Sequence, residues 1–195
     1  MKLKEVINYL KSRVMWHKRS RLLHRLQKND LVLDVGSGNN PVPRANILCD
    51  LYLTKDVDRG YRHLVRDTRP FIVCDARHLP FRSKIFTFVN CSSVLEHLTR
   101  PELCIKELQR VAETGYIDAV TTVRETISRQ PYHKCIVEYE HNKFLFLNNI
   151  FPHRKLIHFL WGKFPVFTFF WAVFDELSSF LTLRIFFDKN RFYKI

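Results

Sequence analysis

The sequence predicts an α/β fold: a doubly wound, mostly parallel sheet with a C-terminal hairpin and an aromatic helical segment. Three observations predict it. Short apolar runs alternate with turn-forming and helical stretches between residues 31 and 123. The first run, Leu31-Val32-Leu33-Asp34-Val35, breaks into Gly36-Ser37-Gly38, as a buried parallel strand entering a tight loop does. Asp34, Asp50, Asp75 and Asn90 fall at or near the ends of successive strands, and ligands of open α/β sheets bind at the carboxyl ends of the strands.

A chain of 195 residues suits one domain, taken here as 1–195. It divides into a basic N-terminal helix (1–28), a ligand-binding core (29–123), and a hairpin with an aromatic segment (124–195). Within 1–28, Val6, Ile7, Leu10, Val14, Leu22 and Leu26 recur at helical spacing, with nine Lys or Arg against Glu5 alone. Three readings stay open for this helix: a solvated face on the domain edge, a helix on a membrane surface or over the substrate site, and a nucleic-acid contact.

Residues 31–35 form the first strand. Pro41 and Pro43 crowd the stretch before the second strand, Ala45–Asp50, so the connecting helix is short or missing. Residues 54–69 are polar and read as a loop. Phe71–Cys74 is the third strand and Ile85–Asn90 the fourth. Ser93-x-x-Glu96 is a capping box for a helical turn, and Thr99-x-x-Glu102 repeats it for the next helix, which Gly115 ends. Tyr116–Val123 is the fifth strand. Residues 133–140 and 143–149 read as a hairpin turning at His141-Asn142. Phe151–Phe187 is dense in aromatics. Lys163 and Asp175 bracket the run Phe164–Phe174, which falls short of the about twenty residues a membrane span needs. A helix covering one sheet face is expected, with a helix dipping into a bilayer surface as the alternative. Leu181–Phe187 reads as a final strand.

The dinucleotide fingerprint G-x-G-x-x-G fails at Pro41. Asp34-x-Gly36-x-Gly38 instead resembles the first motif of the class I S-adenosylmethionine (SAM) methyltransferases, with Asn40 where that family usually has a third glycine. Asp75-Ala76-x-x-Leu79-Pro80-Phe81 is similar to the family's third signature, and Leu95-Glu96-His97 to the segment after the fourth strand in its type 11-like small-molecule branch. The resemblance covers about residues 28–123. It implies a Rossmann-like fold, SAM as cofactor, and methyl transfer as the activity. It further implies that Gly36 and Gly38 admit the methionine end with Asp34 beneath, and that Asp50 holds the ribose hydroxyls. Asp75 would accept from the adenine amino group, the backbone of Ala76 would meet the ring, and Asn90 would line the approach to the methyl group.

His97 is the residue near that crevice able to take a proton near neutral pH, and so the candidate catalytic residue; a helix histidine bonded to a backbone oxygen is the other reading. Glu96 reads as a cap. The net charge of +13 favours an anionic partner, whether nucleic acid, acidic lipid or acidic substrate. Asn90-Cys91-Ser92-Ser93 differs from the Asn/Asp-Pro-Pro-aromatic segment of enzymes of this fold that methylate base amines, which counts against a DNA base. The expected acceptor is small or amphipathic, at an anionic membrane surface. A non-catalytic basic protein that binds RNA or membrane, and an RNA methyltransferase, are the alternatives. Five scattered cysteines without a C-x-x-C read as reduced core thiols, so no metal site is expected. No secretory signal is visible, and the expected compartment is the cytoplasm, with peripheral membrane association as the variant.

Overall fold

The computed structural model describes residues 26–54, 58–59, 62–128, 130, 132–148, 182–189 and 191–194. The expected basic helix over 1–28 lies almost wholly outside the described residues, and the aromatic segment lies outside them up to residue 181. No helix among the described residues is long and apolar enough to cross a membrane.

Five parallel strands make up most of the sheet: β1 (Val32–Val35), β2 (Ile47–Asp50), β3 (Phe71–Val73), β4 (Phe86–Ser92) and β5 (Ala112–Val120). Two antiparallel strands, β8 (Thr182–Asp188) and β9 (Arg191–Lys194), extend it beyond β5. The spatial order is β3-β2-β1-β4-β5-β8-β9. The chain leaves β1 in one direction and returns to its other side at β4, so a switch point lies between these two strands, where such sheets open a crevice. A separate hairpin, β6 (Cys135–Glu140) and β7 (Lys143–Asn148), turns at His141 and Asn142. Both turn residues have positive φ, as a tight two-residue hairpin requires.

The core sits on both faces of the sheet, because β1 is buried along its whole length. Leu33, Val35, Val89 and Cys91 pack with Leu108 and Val111 of helix α1 (Pro101–Val111). Val32, Leu48, Phe88 and Tyr116 face the other way and pack with Val42 and Ala45 from the loop after β1. That loop carries no helix, in agreement with the two prolines. Arg69 steadies it by donating to the carbonyls of Val42 (2.6 Å) and Ala45 (3.2 Å) while paired with Asp67.

Several local expectations are corrected. Neither capping box forms: Val94 precedes a 3₁₀ turn, Leu95–His97, and Arg100 precedes α1, both without a side-chain cap. Ser93 donates to Asp118 instead, and Glu102 pairs with Arg100. Glu96 is buried rather than capping. Helix α1 ends at Val111, not Gly115, and β5 starts at once. Gly115 lies inside β5 because Phe187 of β8 covers it. A Cβ there would meet Phe187 Cε1 at 2.4 Å and Val89 Cγ1 at 2.8 Å. A short helix, α2 (Thr122–Ser128), and strand β9 are additional to the expectation.

Helix α1 holds the turn after β3. Glu107 accepts from the Leu79 backbone N–H (2.7 Å), and Arg110 donates to the carbonyls of Phe81 (2.7 Å) and Leu79 (2.8 Å). Phe81 packs edge-on against Phe86, with ring centroids 4.9 Å apart. The Leu79-Pro80-Phe81 turn is thereby fixed against the helix.

Two outcomes are expected. Gly115→Ala should lower stability by about 1–3 kcal/mol, as overpacking in a dense core does; an unchanged urea midpoint would mean that Phe187 moves aside freely. The hydrogen bond from Arg110 holds the Glu107 carboxyl below its ordinary 4.5, helped by the Leu79 N–H and opposed by partial burial. A depressed folded-state value contributes stability above the unfolded value, which is lost as pH falls through the folded value. Glu107→Gln should therefore cost about 1 kcal/mol at pH 7, the pair being partly exposed. Urea midpoints of variant and wild type should draw together as the pH falls through the folded-state value of Glu107.

Candidate functional site

The crevice is built from the carboxyl ends of β1, β2, β3 and β4. Gly36 and Gly38 both have positive φ (68° and 53°), which only glycine adopts without strain. Val94 closes over Gly36, so that a Cβ at that position would meet Val94 Cγ2 at 2.3 Å. The loop is pinned from three sides. Ser37 N–H donates to the Cys49 carbonyl (3.0 Å), Gly38 N–H to Asp50 Oδ2 (2.9 Å), and Val65 N–H to the Gly38 carbonyl (3.0 Å).

Asp34 is buried beneath this loop. Its Oδ2 accepts from the Val42 N–H (2.7 Å) and its Oδ1 from Asn90 Nδ2 (2.7 Å). Asn90 is thus a buried strut between β4 and β1, inside the strand rather than at its end. Ser92 and Ser93, the next polar positions, bond to Asp118 of β5 (3.0 Å from each of Ser92 Oγ and Ser93 N). Asp118 was not singled out in the sequence. Its one signal is a carboxylate alone within the apolar run Tyr116–Val120, in register with Ser92.

Asp50 Oδ1 accepts from the Tyr52 N–H (3.2 Å) and from Arg59 Nη1 (2.9 Å). Arg59 also donates to the Thr54 carbonyl, and its Cδ lies 3.4 Å from where a Cβ on Gly38 would stand. Its guanidinium therefore lies across the glycine loop and the end of β2. Asp75 is gripped by Arg77 (2.6 Å from Nη2 to Oδ2), which keeps its carboxyl below the usual carboxylate range. Ala76 is half-buried against the core. His97 lies in the 3₁₀ turn that follows Val94, with Nδ1 3.6 Å from Asp58 and its ring stacked on Tyr132. Burial alone would lower its pKa, but the Asp58 contact and the Glu96 charge outweigh burial and leave it raised. Hydrogen bonds join Asp34 to Asn90 and Gly38 to Asp50, with Gly36 between Asp34 and Gly38 in the chain; Asp75, Ala76 and His97 lie on neighbouring segments.

Does the crevice fit SAM? Two features say that it does. Ser37 Oγ is buried in the glycine loop with no hydrogen-bond partner among the described residues, a polar atom left for a ligand. Asp50 ends β2 and, after accepting from the Gly38 and Tyr52 N–H groups and from Arg59, keeps one of its about four acceptor sites for a ligand hydroxyl.

Residues 33–117, somewhat under half of the chain, match the family model described as Methyltransferase domain. The match spans the glycine loop and the strand-end carboxylates, and S-adenosyl-L-methionine is the cofactor that a class I domain of this kind uses. No curated protein matches the chain. Among solved structures it is similar to the cyclase SpnF, at 20% identity over 49% of this chain and 40% of that one, with a TM-score of 0.37. A SAM-dependent methyltransferase from Thermotoga maritima is 14% identical over 72% of this chain and 68% of that one, with a TM-score of 0.47. One from Methanosarcina mazei is 18% identical over 72% and 81%, with a TM-score of 0.41. At these values the likenesses carry no argument about what the chain does.

Proposed function

We propose that the chain is a SAM-dependent methyltransferase acting on a small or amphipathic acceptor. The observation that carries this reading is the bonded unit of Asp34, the glycine loop and Asp50, with the unpartnered Ser37 hydroxyl in its middle. In this reading Gly36, Ser37 and Gly38 receive the methionine end of the cofactor, and Asp34 holds their loop in shape from beneath. Asp50 takes the ribose hydroxyls, while Asp75 and the backbone of Ala76 take the adenine. Asn90 acts by fixing Asp34, and through it the crevice floor. His97 stands on the acceptor side, one 3₁₀ turn beyond Val94. When bound, the cofactor supplies an electrophilic methyl group on a sulfonium. The chain's own contribution is to hold the acceptor in line with it and to exclude water, which supplies much of the rate in such transfers.

A second reading has a specific observation behind it. Arg59 and Arg77 already engage Asp50 and Asp75, the two carboxylates assigned to the nucleoside. A protein that kept this fold as a basic binding surface, for RNA or for membrane, would have use for such pairs. Calorimetric titration of the full chain with SAM and with its demethylated product separates the two. Methyl transfer requires binding in the micromolar range. Asp50→Asn and Asp75→Ala should each weaken it roughly 10- to 100-fold, the loss of one charge-assisted hydrogen bond. No binding by a folded wild type would sink the enzyme reading.

Arg59 gives a further expectation. The ribose hydroxyls must share Asp50 with its guanidinium. Arg59→Ala leaves Oδ1 with the Tyr52 N–H alone and should raise SAM affinity several-fold, read in the same titration. A fall in affinity would mean that Arg59 is part of the cofactor site instead.

A further inference from the structure

Beside the crevice, and not used by the reading above, lies a cluster of side chains on the 3₁₀ turn and the segment leading into β6. Glu96, His97 and His133 each offer one ligand atom, and these atoms lie within 4.8 Å of one another. The three come from two places in the chain that the fold draws together. Lys134 N–H donates to the Glu96 carbonyl (2.7 Å), and Cys135 Sγ to the Leu95 carbonyl (3.2 Å).

One polar atom of this cluster, Glu96 Oε2, is buried with no hydrogen-bond partner among the described residues, and His97 Nδ1 lies 3.6 Å from the Asp58 carboxylate. Glu96 is only 1% exposed. A buried carboxylate oxygen without a donor costs free energy that a cap or a solvated face would not incur. His133 is held by a second buried carboxylate. Its Nδ1 lies 2.6 Å from Glu125 Oε2, and Glu125 is fully buried. With Glu125 ionised, that contact puts the ring proton on Nδ1 and the lone pair on Nε2. A carboxylate that orients a histidine through its far nitrogen is the usual outer support of a metal-bound histidine. Two carboxylates buried this deeply also call for positive charge, and the two imidazoles lie beside them.

We propose that Glu96, His97 and His133 bind a divalent first-row transition ion, with zinc the best match, and that Glu125 positions His133. Two nitrogens and one carboxylate oxygen suit zinc far better than magnesium or calcium, which take oxygen ligands. Zinc–ligand bonds of about 2.0–2.2 Å put tetrahedral ligand atoms about 3.4 Å apart, so the three must draw in by at most about 1.4 Å around the ion. Three protein ligands leave one position for a water or for an oxygen of the acceptor. His97 then serves as a ligand in place of the proton acceptor that its sequence position suggests. The scattered cysteines, which carry no metal-binding pattern, have no part in this site.

The test uses the full chain, stripped of metal with a chelator and titrated with Zn²⁺ with no SAM present, so its outcome is separate from that of the cofactor titration. One equivalent should bind with submicromolar affinity. His133→Ala and Glu96→Gln should each weaken it by more than roughly 100-fold, and Glu125→Gln by roughly 10- to 100-fold. Zn²⁺ should raise the thermal midpoint of the wild type and leave that of His133→Ala unchanged. Co²⁺ in its place should give visible absorption of four- or five-coordinate strength, absent from His133→Ala. Far-UV circular dichroism checks that each variant is folded, and the near-isosteric Glu96→Gln keeps the test decisive if His133→Ala is not. No one-to-one binding by the wild type would overturn the proposal. So would binding of equal strength in folded Glu96→Gln and Glu125→Gln, since the ion would then sit elsewhere.

Discussion

The buried carboxylate of Asp34 is the contact on which the crevice depends. It accepts at once from the loop that follows it, through Val42, and from the neighbouring strand, through Asn90. A charge-assisted hydrogen bond in a dry setting is strong, and an ionised group left there without partners is costly. The same group therefore ties the chain reversal after β1 to the position of β4. The glycine loop is held rigid from below by Asp34 and from the side by Asp50, and the switch point of the sheet becomes a shaped cleft instead of a slack turn. Everything placed above the cleft, from Val94 to the 3₁₀ turn, takes its position from that floor.

What the sequence made legible was the part decided by local chemistry. Strand positions followed from apolar runs, and the glycines and strand-end carboxylates announced themselves by type and spacing. The tight hairpin at His141-Asn142 was readable for the same reason. Less legible was every feature in which a distant partner outcompeted a near one. Ser93 has the sequence of a cap, but Asp118 reaches it across the sheet and takes its hydroxyl. Ala112-Glu113-Thr114-Gly115 continues a helical pattern and closes it with glycine, yet the stretch joins β4 and β8 as a strand because Phe187 needs the space over Gly115.

The site shows the same division. The residues that shape the loop were found, while those that compete for its carboxylates were not. Arg59 returns to Asp50 from a polar stretch that carries no pattern of its own. Glu125 lies in a stretch with no pattern of its own and His133 at the expected start of the hairpin, and their pairing is visible only once α2 and the segment before β6 are side by side. Asn90 was placed at the cleft by its strand position. The structure gives it the quieter task of bridging two strands.

The strand that covers Gly115 has a consequence for how the molecule comes into being. Val120 pairs with Thr182 and Thr114 with Asp188, so one flank of the parallel sheet is closed by a segment made roughly sixty residues later. Until that segment emerges from the ribosome, β5 presents an open edge, and the groove that Phe187 fills exposes apolar surface. Such long-range pairing forms slowly, and unpaired edges invite association between chains. The newborn protein thus passes through an interval in which its core is largely assembled but its flank is unsealed. That interval is where a chaperone would act and where aggregation would begin.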